Sequence, residues 1–231
     1  MFTRSARFYD AIYSFKDYAA ETAKLVGIAG DKVGGSLLDV ACGTGLHLVH
    51  LKKHFTCEGM DLDENLLEIA RERLPDLAFH QGDMRNFDLG EFDVVTCLFS
   101  SIGYVGSTEG LRSACRCFAG ATKRGGLLIV EPWFSVEEWR PGQPSMVQAE
   151  IEDLKITRKS ITGVEGTIST INFEYEIQSP EGIEHMTEHH ELGLFARPEY
   201  TSALEDVGFA VEYDEEGLMN RGLYICRKRL P

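Results

Sequence analysis

The sequence has no apolar run long enough to span a bilayer, no paired CxxC motif, no excess of basic residues and no internal repeat. Each absence removes a class of function. Without a membrane-length run no spanning helix is expected. The opening stretch Met1–Arg7 leads into aromatic and polar residues without the apolar centre of a secretory signal. Basic residues number 23 against 37 acidic ones, a formal net charge of -14. Such a field repels phosphate backbones and anionic lipid, so neither nucleic acid nor membrane is an expected partner, whereas a single anionic metabolite can still bind locally. The six cysteines (Cys42, Cys57, Cys97, Cys115, Cys117 and Cys226) fall mostly inside apolar segments, without the spacing of a disulfide framework or a metal knuckle. The expectation is therefore reduced thiols, no metal and a cytoplasmic location.

What is present is enough apolar material for a real core: 231 residues, 43% of them hydrophobic, suit one domain with a smaller insertion. Apolar residues recur every three to four positions from Tyr9 to Val26, predicting one or two helices before the glycines at 27, 30, 34 and 35. The chain then alternates. Strands are expected over 36–41, 55–60, 78–80, 92–98 and 127–131, with helices over 46–53, 65–74 and 108–121. That rhythm implies right-handed crossovers and a mostly parallel sheet with helices on both faces. Beyond Pro132, the segments 155–160, 167–177 and 185–195 read as extended pieces of an antiparallel insertion. A helix over 198–207 and a hairpin of 209–213 with 223–227 close the chain.

The glycine turn Asp39-Val40-Ala41-Cys42-Gly43-Thr44-Gly45 follows a buried strand and precedes a helix, a topology that brings backbone up to a nucleotide cofactor. Asp61 ends the next strand about twenty residues on, where a carboxylate can accept from both ribose hydroxyls. After the third strand Asp83 can take an adenine amino proton, while Met84 and Leu62 cover the ring faces. Leu98, Phe99 and Ser101 sit beyond the fourth strand, at the sheet end where ligands bind. A dinucleotide fingerprint would carry glycine or alanine at position 48, where this chain has Leu48.

The ordered set DVACGTG, GMDLD, QGDMR and a strand ending Glu131-Pro132-Trp133 resembles class I S-adenosylmethionine-dependent methyltransferases over roughly residues 9–131. Nearly the whole chain, through Lys16 to Glu21, Leu37 to Gly45, His80 to Arg85, Val95 to Gly103, Glu131 to Trp133, Glu188-His189 with Leu194-Phe195, and Arg221 to Leu223, resembles the N,N-dimethyltransferases that act on nucleotide-linked amino sugars, the desosamine and mycaminose type. The resemblance implies S-adenosylmethionine as cofactor and a Rossmann-like, seven-stranded α/β sheet with a small antiparallel insertion between strands five and six. The expected units are an N-terminal helical lid over 1–35, the cofactor core over 36–131, an insertion covering the acceptor over 132–196, and a closing helix and hairpin over 197–231. It also implies that Gly43, Gly45, Asp61 and Asp83 hold the cofactor, that Tyr13 is an active-site tyrosine, and that two copies pair as a homodimer through the insertion. The chain departs from that family in a shorter segment between Tyr13 and Tyr18, in Thr170 where an arginine is expected, and in Phe134 after Trp133.

Methyl transfer is an in-line displacement, so alignment is the main requirement, and an amine acceptor must be neutral to attack. Candidate proton acceptors are Tyr13, His189 and His190, with Tyr13 and His189 assigned catalytic roles. The rings of Phe8, Tyr9, Tyr13, Phe15 and Tyr18 can cover a sulfonium by cation–π contact, which adds Tyr13 and Tyr18 to the cofactor set. Ser101, Trp133, Arg158, His190 and Arg221 are the expected acceptor contacts, the two arginines as forks for a diphosphate. Two other functions fit the same residues: an O-methyltransferase, and a noncatalytic S-adenosylmethionine-binding protein. A nucleic-acid methyltransferase is disfavoured by the acidic balance and by Leu98-Phe99-Ser100-Ser101 standing where an Asn/Asp-Pro-Pro-aromatic motif would be.

Overall fold

The computed structural model describes residues 5–230; residues 1–4 of the expected lid and residue 231 lie outside the described residues. Seven strands form one sheet: β1 (Ser36–Val40), β2 (Thr56–Asp61), β3 (Ala78–Gln81), β4 (Phe92–Cys97), β5 (Thr122–Val130), β10 (Phe209–Asp214) and β11 (Leu223–Lys228). Their order is β10-β11-β5-β4-β1-β2-β3. Only β11 runs antiparallel, to its neighbours β10 and β5. On β1, Leu37, Leu38, Asp39 and Val40 are all buried, the near-continuous burial of a parallel strand covered on both faces. Because β1 pairs with β2 on one side and β4 on the other, strand order reverses there and a crevice opens beyond their carboxyl ends.

The helices that cover this sheet start where side chains can cap them. Asp17 accepts from the Ala20 N–H at 2.9 Å to begin α2 (Tyr18–Ala29). Asp63 accepts from Asn65 at 3.1 Å to begin α4 (Glu64–Arg73), and Ser107 from Gly110 at 3.1 Å to begin α5 (Thr108–Ala121). The remaining helices are short: α1 (Tyr9–Ile12), α3 (Leu46–Leu51) and α6 (Arg197–Glu205). Two apolar clusters flank the sheet, one built on Leu38, Val95, Leu111 and Phe118, the other on Leu37, Leu48, Leu67 and Ile129.

The insertion is a four-stranded antiparallel meander of β6 (Pro144–Ile151), β7 (Leu154–Glu165), β8 (Ile168–Ser179) and β9 (Gly182–Gly193). Three extended segments were expected; β6 is the addition. It is an edge strand whose adjacent apolar residues Met146 and Val147 blur its alternation. Along β8, Phe173, Tyr175 and Ile177 turn inward and form a third cluster with Phe8 and Ile12 of the N-terminal segment. A close approach at Gly103 brings the insertion onto the core: a Cβ there would lie 3.0 Å from the Trp133 Cβ and 3.1 Å from Leu192.

Candidate active site

The crevice beyond β1, β2 and β4 is divided into three adjoining chambers. The first, about 810 Å³ including its open mouth, is lined by Val40, Gly43, Asp61, Leu62, Asp83 and Met84 together with Tyr9, Ser101 and Tyr104. The second, about 360 Å³, lies under the glycine turn, between Asp39, Cys42, Thr44 and His47 on one side and Tyr18, Leu98 and Phe99 on the other. The third, about 620 Å³, runs under the insertion between Tyr13, Phe99, Tyr104, Trp133, Phe173 and Arg221. Tyr9 and Ser101 belong to the walls of all three.

Local backbone makes the first two chambers. Ala41 and Gly43 both have positive φ (59° and 58°), so the chain turns sharply away from the sheet and its backbone forms a wall of the crevice. Asp61 Oδ2 accepts from the Gly43 N–H at 2.8 Å and Oδ1 from the Asp63 N–H at 2.9 Å, locking turn to strand. Burial pushes the Asp61 carboxyl up, against the downward pull of those hydrogen bonds. Asp83 is held below the usual carboxylate range by a fork from Arg85, 2.6 to 3.1 Å long, yet an ionised carboxylate retains further acceptor positions. Asp39, fully buried, accepts from Thr96 at 2.7 Å and is pushed up to about 6 by desolvation.

Beneath the second chamber is a buried charge cluster. Glu21 accepts from Lys16 at 2.6 and 2.7 Å and meets His47 Nε2 at 2.7 Å, and the Lys16 ammonium also sits 4.4 Å from the Phe99 ring centroid. Glu131, fully buried, accepts from the Phe99 N–H at 2.6 Å. Arg221 Nη1 donates to Ser100 Oγ at 2.9 Å. Phe99 and Ser100 are both in the left-handed region (φ 53° and 61°), a costly conformation held by these contacts on either side.

Several expectations are redrawn by the geometry. His189 lies on the outer face of β9, its side chain half-exposed and bonded to Asn172 at 2.7 Å and Glu191 at 3.3 Å. It does not reach the crevice, because successive strand residues point to opposite faces and it is His190 that turns inward. Tyr13 lines the third chamber, and the ring shared with the first two chambers is Tyr9. Arg158 is almost fully buried and is spent on Tyr13: its Nη1 donates to the Tyr13 hydroxyl at 2.9 Å while its guanidinium stacks on Tyr13 and Phe173. Of the two expected phosphate forks, only Arg221 lines a chamber. Thr170 faces out from β8, buried beside Gly163. Sequence reasoning missed Tyr104, Glu21, His47 and Glu131. The pairing of Lys16 with Glu21 five residues on was a visible signal; the convergence of His47 upon them was not.

A glycine turn with a buried carboxylate at the next strand end, a second carboxylate after the strand beyond, and a doubly wound sheet in this order define a class I methyltransferase using S-adenosylmethionine. A family model described as a methyltransferase domain matches residues 37–126. The chain is 40% identical over 226 residues, 95% of its own length and 89% of the relative's, to the dTDP-3-amino-3,6-dideoxy-alpha-D-glucopyranose N,N-dimethyltransferase of Streptomyces fradiae. It superposes on Streptomyces venezuelae DesVI with a TM-score of 0.91 at 38% identity, covering 97% of this chain and 98% of the other. It matches S-adenosylmethionine-bound CalS10, an amino pentose methyltransferase of Micromonospora echinaspora, with a TM-score of 0.86 at 32% identity, covering 96% of each chain. The chain belongs to the dTDP-amino-sugar N,N-dimethyltransferase family. It is an enzyme, and its cofactor is S-adenosylmethionine.

Proposed function

We propose that the enzyme methylates the amine of a nucleotide-linked amino sugar. The observation that carries this reading is the shared wall: cofactor chambers and acceptor chamber meet at Tyr9 and Ser101, and the acceptor chamber combines aromatic walls with one partly buried guanidinium, Arg221. A partly buried arginine at the chamber wall suits a diphosphate, because its planar fork matches phosphate oxygens. When bound, S-adenosylmethionine supplies an electrophilic methyl on a sulfonium. The residues proposed to hold it are Asp61 for the ribose hydroxyls, Asp83 with Leu62 and Met84 for the adenine, and Asp39 with the turn from Ala41 to Gly45 for the amino-acid end. Tyr9, Tyr18 and Phe99 present ring faces to the positive charge. Leu98 backs the second chamber. Tyr13, fixed by Arg158, and Trp133, whose Nε1 donates to Ser169 at 2.8 Å, give the acceptor a rigid seat. Rigid walls on both sides align nucleophile and leaving group, which is where most of the rate enhancement of such a transfer arises.

The division into lid, core, insertion and closing unit fits the three apolar clusters, two of them flanking the large sheet and one joining the N-terminal segment to the insertion. A second copy is proposed to pair through the insertion, whose edge strand β6 exposes Met146 and whose outer face exposes Ile161 and Ile183. A cytoplasmic location agrees with six free thiols and with the lack, among the described residues, of any helix long and apolar enough to cross a membrane. The test of function is a panel of amines and alcohols, free and thymidine-diphosphate-linked, scored by mass for added methyl groups. The expected result is one or two methyls on linked amino sugars and none on the alcohols. Methylation of alcohols alone would overturn the reading.

A further inference from the structure

An amine acceptor, the reading on which this inference rests, brings a proton that has to leave. An amine beside electron-withdrawing groups titrates near an α-amino group, about pH 8, so in neutral solution it is mostly an ammonium without a lone pair. A line of buried polar groups starts at the wall between the first and third chambers. Tyr104 lines both. Its hydroxyl lies 2.8 Å from His190 Nδ1, and His190 is 2% exposed. The opposite ring nitrogen, Nε2, is 3.7 Å from Glu188 Oε2. That same oxygen accepts from Ser5 Oγ at 2.8 Å and from Tyr175 Oη at 3.0 Å. Phe173 packs edge-on against the imidazole, with ring centroids 5.1 Å apart.

We propose that Tyr104, positioned by His190 and Glu188, is the proton outlet for the acceptor amine. The ammonium proton passes to Tyr104 Oη as the phenolic proton passes to His190 Nδ1. The N–H bond breaks, its electron pair stays on nitrogen, and the resulting imidazolium is balanced by the Glu188 carboxylate until it gives its proton to solvent. After transfer, with N–CH3 formed and S–CH3 broken, the methylated ammonium loses its proton by the same route. The nitrogen is then neutral for a second transfer. Burial pushes the Tyr104 hydroxyl up, and Tyr13, Glu188, Tyr175 and Asp61 add to that, so the phenol passes protons on without being stored as phenolate. Burial raises Glu188, but the neighbouring His190 and hydrogen bonds from Ser5 and Tyr175 outweigh it and hold the acid below its ordinary value, ready to face a cation. Arg158 is stacked on the same Phe173 ring, 4.6 Å from its centroid.

The test is the pH dependence of kcat for the full chain with S-adenosylmethionine and a thymidine-diphosphate amino sugar, from about pH 6 to about pH 9.5. Tyr104→Phe removes one oxygen, and His190→Gln keeps an acceptor for the phenol that cannot take its proton. For both, kcat at about pH 6.5 is expected to fall about 100-fold, with the gap closing above about pH 9, where the amine is already neutral in solution. Affinity for S-adenosylhomocysteine by calorimetry should stay at the wild-type value, and His189→Ala, altered on the outer face, should keep the wild-type profile. An equal loss at every pH, or no loss in Tyr104→Phe, overturns the outlet. Wild-type enzyme that methylates no amine overturns the acceptor reading itself, and that result is available before any variant is made.

Discussion

Asp39, proposed to meet the amino-acid end of the cofactor, is ionised at a cost to the fold. Buried under the glycine turn with Thr96 as hydrogen-bond donor, it is pushed from its ordinary 3.8 to about 6 by desolvation. A carboxyl whose folded value lies above its unfolded one favours the native state fully only below about pH 3.8, and that advantage is lost as pH rises through about 6. The span corresponds to about 3 kcal/mol. Asp39→Asn should therefore raise the unfolding midpoint of the cofactor-free enzyme at pH 7.5, by up to about 3 kcal/mol, with the gain vanishing below about pH 4. The same variant should bind S-adenosylhomocysteine more weakly, because it lacks the charge proposed to face the amino-acid end. Denaturant melts at both pH values and calorimetry check the pair of effects. At this scale Gly43, Asp61 and Asp83 were legible, since each stands at a strand end fixed by a local pattern. The choice between His189 and His190 was not. Their parity depends on which face of β9 the register with β8 turns inward, through pairs such as Ile171 with His190.

Between elements, the cluster of Lys16, Glu21 and His47 ties the turn after α1 and the helix α2 to α3, which begins at the glycine turn. Two titratable side chains, Lys16 and His47, share the Glu21 carboxylate, and all three are nearly inaccessible. Such a cluster is costly to break from one side: removing the acid leaves two buried groups without their anion, typically about 3–5 kcal/mol. Glu21→Ala is expected to destabilise by that order in urea melts and to weaken cofactor binding. The double variant Lys16→Met with Glu21→Leu should recover much of the stability, apolar replacements of similar volume being tolerated where half a pair is not. Burial raises the Glu21 carboxyl, but hydrogen bonds from His47 and Lys16 outweigh it and hold the group below its ordinary value. Its contribution is present above the unfolded value and lost as pH falls through the folded one, so wild-type melts should show an acid limb that Glu21→Ala lacks. Helix spans were readable here because periodicity and caps are local: α5 falls over the residues expected, and α4 starts one residue early behind Asp63. The edge strand β6 was not readable, because an edge pairs on one side only and its composition need not alternate cleanly.

For the molecule as a whole, the N-terminal segment is the piece that makes three chambers of one crevice. Its outer side, Phe8 and Ile12, is buried against Ile156, Phe173, Tyr175, Ile177 and Met186 of the insertion. Its inner side carries Tyr9, which lines every chamber. Asp10 faces the glycine turn, accepting from Thr44 Oγ1 at 2.6 Å and from Arg73. None of this can be read from spacing, since residues 5–13 touch partners more than thirty and more than a hundred and forty positions away, and the aromatic cluster alone would fit a packed helix equally well. The arrangement links the insertion to the glycine turn through packing. Phe8 lines no chamber, yet Phe8→Ala should cost about 3–5 kcal/mol of local packing, and the segment that carries Tyr9 and Asp10 should loosen with it. The expected outcome is faster amide exchange over residues 5–13 and at least tenfold weaker S-adenosylhomocysteine binding, a loss of about 1.4 kcal/mol. Exchange confined to the insertion, with cofactor affinity unchanged, would mean that the glycine turn holds its ligand without help from the segment above it.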